Sequence, residues 1–515
     1  MSQDTTLSAR LDLRWLGLVL PFILLLVSCP GSAQAGSATW NQNPANGDWN
    51  TAANWTPRTI PNSLSAIATF ATSSITDVSI SADTQVGGIV FDQEAGTFTI
   101  EASALDPTNQ LSIGGTGVTN RSGLTQNFVS GVNGLLVFLN QATAGDGVVY
   151  ANRGGFLNFV NTANAGSSSI VNSGDTDTND NGGTLFFGGA SAAAAVIVNE
   201  GPESGGTFGG FTSFQDRSTA GTSTITSYAA ATTTFQDGAS AGAATLIADG
   251  GVIYFTGNST GGTARLELLE FGQLDLTTRF SGPLTIGSLE GDGSVFLGST
   301  NLSIGSNSLS TIFSGLVADG TANDHGALTK LGNGSLALTG ANTYTGDTTV
   351  TAGILVVANP TGLGTGTGAL QVNGGTLGGS GIIGGATTIG AGAFLAPAAG
   401  SRKQTTLTMQ SALTFNSDST YTCTFKAKRN KGRADRVIAN GVTINGSATV
   451  VLNGQTQGQL TQGLTLTLIT NTSANPINGT FSNLPDGGIV TINGNNFQAN
   501  YEGGNGNDLT LTVVP

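Results

Sequence analysis

Few side chains in this 515-residue chain have the chemistry to make or break bonds. The single histidine, His325 in TANDHGALT, would be the base of any Ser-His-Asp arrangement. Such a base needs an orienting acid and a nucleophile within hydrogen-bond reach. No cluster of carboxylates accompanies His325, so it reads as a loop residue at a repeat boundary, and no catalytic residue is assigned. Of the two cysteines, Cys423 alternates with Tyr421 and Phe425 in YTCTF. That spacing makes it a small apolar residue on the inner face of a strand rather than a reactive thiol.

Calcium is the one cofactor the sequence raises, in two places. DTDTNDNGG, Asp175 to Gly183, sets Asp175, Asp177 and Asn179 at the first, third and fifth places of an EF-hand loop. Asp180 stands where the loop needs Gly, and Phe186 where it needs Glu. GGNGNDLTL, Gly503 to Leu511, puts Asp508 at the aspartate place of the GGxGxDxUx calcium repeat, but Thr510 fills the place of a large apolar residue and the motif occurs once. Asp175, Asp177, Asn179 and Asp508 are therefore calcium candidates, with an exposed acidic loop and a terminal strand as the plainer readings.

Two further clusters bear on binding. KAKRNKGRADR carries Lys426, Lys428, Arg429, Lys431, Arg433 and Arg436. It reads as a solvated loop, with contact to an anionic envelope glycan as the functional alternative. Trp40, Trp49 and Trp55 lie close together near the start. They are expected to cover the open end of a repeat structure, with sugar stacking as the alternative.

The elements that must carry these residues are strands. Glycine contributes 78 residues and charged residues only 9%, against about 25% in an average soluble chain. Short alternating runs such as TLTMQ, ATVVLNG and LTLTLIT recur between Gly, Asn and Asp corners, and helical spacing is scarce. The net charge is −14, which makes nucleic acid an unsuitable partner.

Residues 1–35 stand apart: Arg10 and Arg14 precede the apolar run WLGLVLPFILLLV, followed by Ala33-Gln34-Ala35. This is a secretion signal with cleavage expected after Ala35. An overlapping Leu26-Val27-Ser28-Cys29 suggests the alternative of lipidation at Cys29 and an outer-membrane lipoprotein. No other segment is apolar enough to span a bilayer.

Between residues 130 and 275 the pattern F-x-x-x-[SA]-x-[AG]-[AG] repeats at Phe138, Phe159, Phe187, Phe214, Phe235 and Phe255. Eleven residues after each stands Val149, Ile170, Val198, Ile225, Leu246 or Leu266. An odd offset puts both residues inside only if the small pair between them turns a corner. Each repeat is then one coil of a solenoid, with a row of Phe and a row of aliphatic side chains. Some 15 to 20 coils would give a rod of roughly 70 to 100 Å.

The stretch LTKLGNGSLALTGANTYTGDTTVTAGILVVAN, with GALQVNGGTLGGSGIIGG after it, resembles the autotransporter-associated β-strand repeat of bacterial surface proteins. The N-terminal ATWNQNPANGDWNTAANWTPRTIPN and the C-terminal INGTFSNLPDGGIVTINGNNFQANYEGGNGNDLTLTVV are similar to the ends of large secreted proteins with that repeat. The resemblance implies an all-β, right-handed parallel β-helix with an N-terminal cap and a C-terminal strand-rich cap, exported to the cell surface or beyond. It brings no catalytic residues.

The expected layout is a signal peptide at 1–35, a cap and first coils at 36–129, the Phe repeat at 130–275, further β-helix at 276–400 and a C-terminal cap at 401–515. No C-terminal translocator barrel is expected, so any anchor comes from Cys29 or a partner. The function expected is structural or adhesive, with extracellular glycan or cell-envelope components as partners. A glycan-processing β-helix enzyme is the alternative.

Overall fold

The computed structural model describes residues 36–103, 109–173, 181–202, 207–280, 282–401 and 403–515. Its regular structure is β throughout, apart from one 3-10 turn at Ala52–Asn54.

The Phe repeat shows how the chain coils. A four-residue strand such as Thr232–Phe235 ends on a buried Phe, and a corner of small residues follows. A second strand, Thr245–Asp249, then brings Leu246 to the interior. Corner residues Ala142, Ala163, Ala190, Ser218, Ala239 and Ser259 are fully buried, because only small side chains fit where the chain bends across the core. The outward residue beside each, from Thr143 to Thr260, joins its neighbours above and below in a ladder of single parallel bridges.

The parallel ladder corrects the expected register at three positions. Phe186, not Phe187, pairs with Phe159 below and Phe214 above. Phe187 follows the strand, donating its N–H to the Phe159 carbonyl at 2.8 Å with its side chain half-buried. With Phe186 in the row, the offset of eleven lands on Ile197 and leaves Val198 on the outer surface. In the first repeat the corner is one residue longer, so Tyr150 takes the inner place expected of Val149 and pairs with Ile170.

The corrected Phe row is a continuous stack. Ring centroids of Phe138, Phe159, Phe186, Phe214, Phe235 and Phe255 are successively 5.1, 4.8, 4.6, 4.8 and 4.8 Å apart, within 14° of parallel. These distances are the interstrand spacing of a sheet, so the rings follow the backbone ladder without distortion. Two residues beyond the aliphatic row a second ladder forms from polar side chains. Asn152 Nδ2 donates to Asn172 Oδ1 at 2.6 Å and Asn172 Nδ2 to Asn199 Oδ1 at 2.7 Å. Asn199 Nδ2 reaches Ser227 Oγ at 3.0 Å, and Thr184 and Thr212 donate hydroxyls to Asn172 and Asn199. All are buried, and the shared bonds offset the cost of desolvating them.

Stacking these coils builds a parallel β-helix. One stack of seventeen parallel strands runs from Asp77–Ile80 to Thr449–Gln457, about 75 Å at about 4.8 Å per step. A second stack of fourteen strands begins at Ala38–Trp40 with Trp55–Thr56 beside it and ends at Leu316–Ala318. From Leu284–Ile286 the single-residue corner ladder gives way to a third stack of eight strands ending at Val442–Ile444. One hydrophobic core extends from Ala38 to Val513.

Both ends are closed differently from the middle. At the start, Trp40, Trp49 and Trp55 pack edge to face and around Phe70, each at most 1% exposed. Their indole N–H groups donate to the carbonyls of Ile75, Pro61 and Trp49. At the finish, Thr465–Asn471 pairs antiparallel with Asp508–Val514, which continues through Asn495–Gly503 to Ile489–Ile492. Asparagine side chains occupy the last open edge. Asn483 Oδ1 accepts the Val450 N–H at 2.9 Å while its Nδ2 donates to the Val450 carbonyl at 2.7 Å. Asn493 Nδ2 donates to the Gly454 carbonyl at 3.2 Å. These amides take the place of a further strand.

Candidate functional site

Cys29, Ala35, Asp175, Asp177 and Asn179 lie outside the described residues. Asp508 is 7% exposed in the last strand, and its Oδ1 accepts the Asn471 N–H at 3.0 Å. Calcium takes six to eight oxygens, and among the described residues no three His, Cys, Asp or Glu side chains gather into a metal-binding group.

His325 is exposed, with Nδ1 2.8 Å from Thr345 Oγ1. Thr345 Oγ1 donates to Asp319 Oδ2 at 2.8 Å, and Asp319 also accepts the N–H groups of Gly326 and Thr345. A hydroxyl has one proton. Once Thr345 gives it to Asp319, Thr345 accepts from His325, the reverse of a hydroxyl activated by a histidine base. The chain His325, Thr345, Asp319 therefore ties a loop to the next coil.

Cys423 is fully buried and its Sγ lies 3.4 Å from the Asp435 carbonyl. Burial pushes its thiol far above the ordinary range, and the nearby Asp435 charge adds to this. The proton stays on sulfur at physiological pH, so this thiol is not a nucleophile. The three tryptophans are equally committed, so none presents a face on which a sugar could stack.

The outer surface offers shallow grooves. One of about 570 Å³ on the outside of the long stack is lined by Glu101, Asn127, Val149, Ala151 and Arg153, among others. Glu101 is the one carboxylate among the described residues that line it. A second, of about 370 Å³, lies toward the C-terminal end beside Thr422, Thr424, Lys426, Asn453 and Gln455.

The basic run is not a loop. Thr420–Lys428 runs beyond its shorter neighbour Phe394–Leu395, stays paired with Thr449–Gln457 along its whole length, and folds back through Arg429 and Asn430 into Lys431–Ala434, an antiparallel hairpin. Arg429 takes the turn with φ 50°. Alternation, which a loop reading ignores, sends Phe425 and Ala427 inward and Lys426 and Lys428 outward. Asp435 is enclosed below the hairpin and accepts the N–H groups of Thr405 and Thr424 and the Thr424 hydroxyl at 2.7 to 2.9 Å.

Lys330 was not singled out by sequence reasoning. It is 1% exposed, and its Nζ donates to the carbonyls of Leu331, Gly332 at 3.0 Å and Ala352 at 3.4 Å. Burial pulls its pKa from 10.5 to about 8. The signal was present in LTKLGNG, where Lys330 falls at an inward place two residues after buried Leu328. Exposed apolar residues were also missed. Exposed Phe156 faces half-buried Phe211 on the outside with centroids 6.1 Å apart, Phe271 projects from a turn, and Phe280 is almost fully exposed.

Residues 328–357 match the family profile described as the passenger-associated-transport-repeat. The chain therefore carries a repeat of the autotransporter passenger type, and Lys330 sits inside it. No curated protein matches the chain. Among the described residues no helix is long and apolar enough to cross a membrane.

Proposed function

We propose that this chain acts outside the cell or at its surface as a non-catalytic β-helix rod with a structural and adhesive role. The observation that carries this reading is the division of labour across its strands. Inward positions hold Phe, aliphatic and small residues in continuous rows, while Thr, Ser, Asn and Gln recur at outward positions among scattered apolar residues such as Val196 and Ile312. Such a body is a stiff spacer with a long polar surface, and a passenger-type repeat is in keeping with display beyond the membrane.

The test is fractionation of cells and medium, with intact mass and N-terminal sequence of the recovered protein, together with its action on a panel of polysaccharides. The expected result is protein at the surface or in the medium that binds without releasing new sugar ends. An N-terminus at Gly36 would mark a released rod, and a lipidated Cys29 a tethered one. Protein retained in the cytoplasm, or turnover abolished by replacing Glu101, would overturn the reading, the latter in favour of a glycan-processing enzyme.

A further inference from the structure

The hairpin at the C-terminal end of the rod presents an arrangement that a folded protein on its own does not favour. Lys426 lies directly opposite Arg433, and Lys428 directly opposite Lys431. All four side chains are exposed on one face, because the other face packs through Phe425 onto Phe497 at 5.4 Å and through buried Ala427. Like charges directly opposite each other across a ladder repel and destabilise the pair. Among the described residues the ion pairs belong to Arg265 with Glu267 and Glu290, so none neutralises this quartet. The carboxylate within the same run, Asp435, is fully buried and engaged with backbone N–H groups.

The neighbouring strand extends the face in register. Gln455 pairs with Lys426 and Gln457 with Lys428, while Asn453 pairs with Thr424. These amides and hydroxyls point outward beside the groove that Lys426 helps to line. The cations therefore lie next to groups that hydrogen-bond sugar hydroxyls, and Arg429 and Asn430 at the tip add no apolar anchor of the kind a membrane-bound element inserts. The remainder of the chain is acidic enough to bring the net charge to −14 despite this cluster. A polyanion is thus repelled along the body and attracted at one place.

We infer that the outer face formed by Lys426, Lys428, Lys431 and Arg433 with Asn453, Gln455 and Gln457 is a docking site for an anionic polysaccharide. The charges supply attraction to carboxylate, sulfate or phosphate groups, and the amide row supplies contact to the sugar. The inference rests on the adhesive reading above and deepens it by giving the ligand class and the end of the rod that holds it.

The test measures binding of the purified mature protein to polygalacturonate, dextran sulfate, neutral dextran and phosphatidylglycerol vesicles, alongside its oligomeric state. The expected result is binding to the two acidic polymers and not to neutral dextran. It should weaken steeply from about 0.1 M to about 1 M salt, where the screening length falls from about 10 to about 3 Å. The variant K426Q/K428Q/K431Q/R433Q should lose more than about a hundredfold in affinity, since each cation near an anionic surface contributes about fivefold. It should melt at the same temperature as the natural protein or higher, because the repelling pairs are gone. A control, R153Q/R217Q, removes charges elsewhere and should bind normally. Unchanged affinity in the quadruple variant, equal binding to neutral dextran, binding to vesicles alone, or self-association in place of polymer binding would each overturn the inference. If the quadruple variant still holds to cells as the natural protein does, the docking face fails while the adhesive rod stands.

Discussion

Replacing Phe186 and Phe187 separately by Ala tests the register on which the interior depends. Phe186 is fully enclosed, with Phe159 4.8 Å below it and Phe214 4.6 Å above. Truncating a buried Phe costs about 3–5 kcal/mol, and here both stacking partners lose a neighbour, so F186A should sit near the upper end of that range. Phe187 begins the corner with its side chain half-buried, and F187A should cost about 1 kcal/mol. Coils of a solenoid are stabilised mainly by their neighbours, so the damage should be local. Hydrogen exchange read by mass spectrometry, combined with urea unfolding followed by circular dichroism, measures both. F186A should speed exchange in Phe156–Phe159 and Phe211–Phe214 and lower the urea midpoint, whereas F187A should do neither to a comparable degree. Equal effects, or a larger one for F187A, would refute the stacked row.

Lys330 gives a dependence on pH. Its folded pKa, about 8, lies below the unfolded value of 10.5, so between these limits the unfolded chain binds more protons and stability rises with pH. The cost of burying the charge is present in full below about pH 8, and its relief amounts to at most about 3 kcal/mol. Urea titrations of the natural protein and K330M across that range should diverge in favour of the natural protein, and parallel curves would refute the burial argument. G221A should be strongly destabilising, by more than about 2 kcal/mol, because Gly221 has φ 62° and a Cβ there would lie 2.6 Å from the Ala193 carbonyl. Thermal melting checks it, and an unchanged melting temperature would count against the corner geometry. N483L leaves the N–H and carbonyl of Val450 without their amide partner, which should cost about 1–3 kcal/mol and promote aggregation visible by light scattering. A variant that stays monomeric and equally stable would show that the edge is protected by something else.

The architecture was legible because repetition is hard to hide. A Phe followed by small residues at fixed offset identifies a coil, and three clustered tryptophans identify a cap. The register error at LFF arose because both Phe186 and Phe187 satisfy the same pattern, and only pairing with Thr212 and Phe214 chooses between them. The buried ladder of Asn152, Asn172 and Asn199 escaped notice because Asn among glycines looks like a turn residue. Its signature was a constant step of two from Tyr150, Ile170 and Ile197, which places it on the same inner face. The basic hairpin was obscured by its charge. Composition suggested a loop, whereas the alternation of Phe425, Lys426, Ala427 and Lys428 already carried the period of a strand. Lys330 shows the converse, a charged residue at an inward place that its backbone carbonyl acceptors make tolerable.

The stacked Phe row has a consequence for how such a molecule changes over generations. Removing residues 214–234 would bring Phe235 onto Phe186 and Leu246 into the row after Ile197, so loss of one whole coil keeps the Phe and aliphatic rows continuous, although Asn199 would then meet Ala248 where Ser227 now accepts from its amide. Length is then inherited in increments of one rung, about 4.8 Å, and the coils need not hold equal numbers of residues, since the steps from Phe138 to Phe159 and from Phe159 to Phe186 differ while the row stays continuous. Selection can tune how far the basic end stands from the tryptophan-capped end without having to invent a new core.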